Sequence, residues 1–320
     1  MGNTLKDVIT IGDAMITFNP SSTGPMRFVQ SFERKVGGAE LNFAIGCSRL
    51  GLQTGWISRL GNDEFGRHIF NSVRGEGIDM SEVKFVDGYP TSLNFKEIME
   101  GGDGSTSYYR SNSPTLTLSA DSIKSTYFES AKLLHITGVF PAIDEKNIEI
   151  IHTAILEAKK QNMLISFDPN IRLKLWSKER AKEVLLSFLP HVDILLTGLE
   201  EAELLLGTNQ PKEIISECQK LGISYTAIKL GDKGAIGYHD GEYVEAAPVV
   251  PKKVVDTVGA GDGFDAGFVY GVLQNWPLER TLKFANTIGS MVVSIKGDNE
   301  GLPYLEDVLV KLGEKEFIER

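Results

Sequence analysis

Short apolar runs recur along the middle of the chain, at Leu133-Leu134-His135-Ile136, Leu164-Ile165-Ser166-Phe167, Ile194-Leu195-Leu196-Thr197 and Thr226-Ala227-Ile228-Lys229. Between them apolar residues fall at helical spacing, so the chain alternates strand and helix. Parallel neighbours need long crossovers, and each crossover helix must bury its apolar stripe. The alternation therefore folds into a mostly parallel sheet with helices on both faces, a three-layer α/β/α unit. Val8-Ile9-Thr10-Ile11 and the run Thr54 to Ile57 extend the pattern toward the start. In such a sheet ligands gather beyond the carboxyl ends of the strands. Asp168, Asn170, Arg172, Lys229 and Gly231 stand just past those ends.

The stretch Asp256-Thr257-Val258-Gly259-Ala260-Gly261-Asp262-Gly263 concentrates the chemistry. Ahead of it Val249, Val250, Val254 and Val255 read as a strand; after it Phe264, Phe268, Val272 and Leu273 keep helical spacing. Glycines let backbone approach a ligand closely, and the free N–H groups of a new helix, with its dipole behind them, hold an anion. A turn serving phosphate alone gains nothing from a carboxylate inside it. A turn that activates a hydroxyl beside a phosphate does, because the base takes the proton while amides hold the charge developing on the transferred group. On that reading Asp262 is a base, and Gly259, Ala260 and Gly261 form an anion hole. The plainer alternative makes Asp262 an ordinary first-turn acid favoured by the helix dipole. Phe264 stands where a dinucleotide fingerprint needs its third glycine, and no Gly-Lys-Ser/Thr run exists, so a Rossmann or P-loop nucleotide site is excluded.

Residues 16–32 are rich in Ser, Pro, Gly and Thr and do not read as core. Thr91 to Ile98 and Ser105 to Arg110 read as a hairpin across Glu100-Gly101-Gly102-Asp103-Gly104. Together these segments, about 14–36 and 88–112, predict a small sheet set apart from the body. Alternation puts Tyr108 and Arg110 on one face, where a guanidinium fork and a phenol suit a carboxylate; a surface arginine lying over aromatics is the alternative. With 43 acidic against 33 basic residues the formal charge is −10, which argues against a nucleic-acid partner. Cys47 and Cys218, both in helical segments, read as buried reduced thiols. The start carries no apolar signal segment and no run approaches membrane-spanning length, so a cytoplasmic enzyme is expected. The five histidines show no metal-ligand spacing.

Asp256 to Asp262 resembles the C-terminal signature of the ribokinase-like (PfkB) sugar kinases. Gly37-Gly38-Ala39-Glu40-Leu41-Asn42-Phe43-Ala44, followed by Gly61-Asn62-Asp63-Glu64-Phe65-Gly66, resembles the N-terminal one. The resemblance spans nearly the whole chain. It implies one ribokinase-like kinase domain over 1–320, with the small sheet as a lid, ATP and Mg²⁺ as cofactors, and room for a monovalent cation. It implies that Asp262 deprotonates the terminal hydroxyl of a sugar, and that Asp13, Gly38, Ala39 and Asn42 meet the sugar. Asn170, Lys229, Gly231, Gly234, Gly259 and Gly261 would face the nucleotide, Lys229-Leu230-Gly231-Asp232-Lys233-Gly234 being similar to the family's nucleotide loop. Tyr108-Tyr109-Arg110 and Phe167 to Trp176 resemble the kinases of 2-keto-3-deoxygluconate. That implies Tyr108 and Arg110 at the substrate carboxylate, Arg172 between substrate and phosphates, and Asp298 near the substrate. Fructose or ribose as substrate, and a non-catalytic sugar-binding protein, stay open as alternatives. The chain departs from the pattern at Gly198-Leu199-Glu200-Glu201, where the family carries Asn-x-x-Glu, so Glu201 alone is left for the metal. Ser111-Asn112-Ser113 after Arg110, and Asn94 in place of a tyrosine, depart from the keto-acid kinases. Partners are then a sugar acid and ATP, with a homo-oligomer by analogy.

Overall fold

The computed structural model describes residues 5–99 and 104–316. Its larger sheet runs in the order β13 (Glu242–Ala246), β12 (Ala235–His239), β11 (Tyr225–Lys229), β10 (Ile194–Gly198), β9 (Leu164–Asp168), β8 (Leu133–Thr137), β1 (Val8–Ile11), β4 (Thr54–Gly61), β5 (Val83–Val86). All neighbours from β11 to β5 pair in parallel, and β12 and β13 close one edge as an antiparallel hairpin. The chain leaves β1 toward β4 on one side and returns to β8 on the other. Strand order therefore reverses between β1 and β8, which opens a crevice at their carboxyl ends.

The strands are apolar runs because both faces are covered. Val8 and Leu133 point into one core with the helices Ala39–Arg49, Ala260–Leu273 and Leu278–Val292. Ile9, Ile11, Leu134 and Ile136 point into the other, under Glu145–Lys160, Lys178–Phe188 and Pro211–Lys220. The Ala260–Leu273 helix is buried nearly all round, and Gly263, Gly267 and Gly271 make one stripe along it. A Cβ on Gly267 would lie 3.0 Å from Ala285 Cα and one on Gly271 2.6 Å from Thr281 Oγ1, so the stripe is what lets the Leu278–Val292 helix approach. Among the described residues no helix is long and apolar enough to cross a membrane.

A second sheet has the order β3 (Phe32–Gly37), β2 (Met15–Pro20), β6 (Ser92–Ile98), β7 (Gly104–Tyr109), as the sequence segments predict. The predicted turn at 100–103 lies outside the described residues. β2 departs from expectation: Ile16, Thr17 and Asn19 are fully buried, because β2 is an inner strand rather than a polar flap. A second expectation fails at 249–255, where no strand forms. Pro248 and Pro251 have no N–H to donate to a ladder, and Val250, Val254 and Val255 are exposed. The segment is tied instead through the Val255 and Asp256 amides to the Val293 carbonyl.

Candidate active site

The carboxyl ends of the sheet and the inner face of the second sheet enclose a cavity of about 800 Å³. Asp262 reaches it from the first turn of the Ala260–Leu273 helix. Its Oδ2 accepts a hydrogen bond from Asn42 Nδ2 at 2.8 Å, leaving Oδ1 for a ligand. Burial pushes its pKa up to about 7; the Asn42 bond and the charges of Arg172 and Lys229 oppose that rise, and Asp168 adds to it. A carboxylate so poised can both take and hold a proton near neutrality.

The turn before it is left-handed at Gly259, φ +80°, where a Cβ would lie 2.0 Å from the Asp298 carbonyl oxygen. Only glycine fits there. Among the described residues the Gly261 and Asp262 amides donate to no protein acceptor, whereas the Ala260 amide is turned back to the Thr257 carbonyl at 3.4 Å. Of the expected set, Gly259 and Gly261 therefore keep free N–H groups among the described residues, Ala260 does not, and Asp262 joins them. The reason is local: a left-handed residue before the helix sends the next N–H back across the turn.

Lys229, the last residue of β11, sits 3.1 Å from Asp168 Oδ1 and 3.2 Å from Asp265 Oδ1. Burial alone would lower its pKa, but these two carboxylates and Glu201 outweigh that and hold it charged. Asp168 is turned to Lys229, not to Arg172. Arg172 is exposed at the cavity wall and has no ion pair among the described residues. Glu201 accepts the Gly198 amide on Oε2 at 2.9 Å and the Ile171 amide on Oε1 at 3.1 Å, and burial, then Asp168, raises its pKa. Asn170 lines the cavity, as do Gly38 and Ala39. Gly231 and Gly234 are not in its wall. Gly234 has φ +94°, and a Cβ there would strike the Ala246 carbonyl, which makes it a hairpin residue.

On the second sheet, alternation brings Asn94, Lys96, Tyr108 and Arg110 to the cavity. Arg110 Nη2 lies 3.3 Å from Asp13 Oδ2, and Asp13 also accepts the Ser113 and Ser92 hydroxyls at 3.0 and 3.2 Å. Arg110 Nε and Asn94 Oδ1 are buried with no hydrogen-bond partner, so the wall holds unspent polar capacity. Sequence reasoning missed Lys96, although its offset of two from Asn94 places both on one face. It lies 2.5 Å from Asp298 Oδ1 and 3.7 Å from Asp256 Oδ2, so the Asp298 expected on the substrate is already met by a lysine. Glu40 was also missed: it is buried, accepts Thr137 Oγ1 at 2.5 Å and the Phe140 amide at 3.1 Å, and burial raises its pKa to about 7.

A buried carboxylate beside free helix amides, in the crevice of a doubly wound sheet, is an arrangement suited to moving a phosphoryl group onto a hydroxyl. Residues 5–305 match the pfkB family of carbohydrate kinases, and the chain belongs to that family. It is 36% identical to the 2-dehydro-3-deoxygluconokinase of Bacillus subtilis (strain 168), over 94% of this chain and 93% of that one. The 2-dehydro-3-deoxygluconokinase of Thermoproteus tenax is 35% identical over 92% of this chain and 91% of its own. Among solved structures, a sugar kinase of Pyrococcus horikoshii in complex with ATP superimposes with a TM-score of 0.81 at 27% identity, covering 95% and 97% of the two chains. The fold is ribokinase-like, and the chain is a carbohydrate kinase.

Proposed function

We propose that the chain transfers the γ-phosphoryl group of ATP to the terminal hydroxyl of 2-keto-3-deoxygluconate. One observation carries the choice of acceptor: Arg110, beside Tyr108 and with Nε unpaired, faces the same cavity as Asp262. A guanidinium has a fork to offer a carboxylate, and a neutral ketose has none to receive it. Two relatives named for this substrate support the reading.

In this account Asp262 Oδ1 takes the hydroxyl proton as the sugar oxygen attacks phosphorus in line and ADP departs. The Gly261 and Asp262 amides, with Arg172, hold the charge on the transferred group. Lys229 stays charged between Asp168 and Asp265 and adds positive potential at the strand ends. Mg²⁺ would neutralise the nucleotide phosphates. Among the described residues no group of three ligating side chains forms a cage, so the ion would rely on water and phosphate oxygens. Glu201 fits as their anchor, since each of its oxygens accepts only one amide and keeps a lone pair free. The second sheet serves as a lid that excludes water from the phosphoryl group. A cytoplasmic setting accords with two buried, unpaired thiols.

Arg110→Ala tests the acceptor. A charge-assisted hydrogen bond is worth about 1.5–3 kcal/mol, so KM for the keto acid should rise about 10- to 100-fold while KM for ATP holds. An unchanged KM for the keto acid contradicts the assignment.

A further inference from the structure

Asp298 and Asn299 lie in a loop that the second sheet grips from several strands. Lys96 on β6 pairs with Asp298 Oδ1 at 2.5 Å, and Lys296 donates to the Pro20 carbonyl of β2 at 3.0 Å. Asn299 Nδ2 donates to the Val36 carbonyl of β3 at 2.7 Å, and Lys35 pairs with Glu300 at 3.3 Å. The same two residues touch the reacting end of the cavity from behind. The Asp298 carbonyl fills the space where Gly259 has no side chain. Asn299 Nδ2 also reaches Asn42 Oδ1 at 3.4 Å, and Asn42 in turn donates to Asp262.

The geometry points to Asp298–Asn299 as the joint through which the lid sets the catalytic geometry: Lys96 and Val36 fix the joint, which then positions the Gly259 turn and, through Asn42, the base. Lys96, Asp298 and Asn299 are positioning residues, and the lysine acts through its carboxylate partner rather than by holding sugar. The inference deepens the kinase reading and rests on Asp262 being the base. Its physical logic is burial. Lys96 and Asp298 are both nearly enclosed, so the pair is weakly screened and its loss leaves a buried carboxylate beside the turn. Displacing reacting groups by about 1 Å costs about 100-fold in rate.

The test is steady-state kinetics of Lys96→Met, Lys96→Arg, Asn299→Ala and the Lys96→Met/Asn299→Ala double variant, with Asp262→Asn alongside. Lys96→Met should lower kcat about 10- to 100-fold with little change in KM for the sugar, and Lys96→Arg should recover part of it. Asn299→Ala should shift the acid limb of kcat/KM upward, because Asn42 loses the bond that orients it and no longer favours the ionised base. Asp168, Arg172, Lys229 and Asp265, the charged groups facing Asp262, are unaltered in that variant. The double variant should fall short of the product of the singles, since both act through one joint. A raised sugar KM with kcat intact would make Lys96 a substrate contact and overturn the proposal. Strict multiplicativity with an unmoved acid limb would also overturn it. Should Asp262→Asn keep its turnover while Lys96→Met loses kcat, the base assignment fails and the coupling of lid to phosphoryl site stands.

Discussion

Asp262 concentrates the argument at the scale of single residues. Its pKa of about 7 predicts that kcat/KM falls about tenfold per pH unit below neutrality and is level above it. A limb near pH 4 would mean that an unperturbed carboxylate, or another group, is the base. The same shift carries a cost in stability. The folded pKa lies above the ordinary value of 3.8, so the folded state holds the proton more tightly. That contribution is present below about pH 4 and is lost as pH rises through about 7. Asp262→Asn should therefore lose turnover by about 10²- to 10⁴-fold, yet melt at a higher temperature than the parent at pH 8 and close to it at pH 4. Comparable turnover in the variant would contradict the role, and a lower Tm at pH 8 would contradict the burial argument.

At the scale of elements, the glycine stripe of the Ala260–Leu273 helix holds the site in place by letting the Leu278–Val292 helix come close. Gly267→Ala forces a Cβ to 3.0 Å from the Ala285 backbone and 2.8 Å from Ile288 Cδ1, so it should cost about 1–3 kcal/mol in urea unfolding. A neutral substitution would mean that the helices have slack. The elements themselves were largely legible: buried parallel strands read as apolar runs, and β8 to β11 fall where those runs stand. The false strand at 249–255 shows the limit, since valines carry β preference but two prolines deny the ladder its donors. The placement of Asp262 and Arg110 at the cavity was legible because each is marked by local pattern, a glycine turn in one case and strand alternation in the other. Lys96, Glu40 and Asn299 were not. Each is defined by a partner far away in sequence, and no local period reports such a pairing.

At the scale of the whole molecule, the active site exists only between the two sheets. The main domain contributes Lys229 from the end of β11 and Asp262 and Glu201 from the first turns of two helices, and the second sheet contributes Lys96 and Tyr108, with Arg110 just past the end of β7. On the proposed reading the second sheet is a lid that closes over the acceptor before transfer, which makes ATP hydrolysis without sugar slow. ADP release with ATP alone should thus be about 10²-fold or more below the rate with keto acid. Equal rates would contradict closure. The most direct measurement is ADP release by the unmodified enzyme with Mg-ATP and 2-keto-3-deoxygluconate, fructose or ribose side by side. The account predicts strong preference for the keto acid. Preference for a neutral sugar, or no ADP release with any of the three, would contradict it.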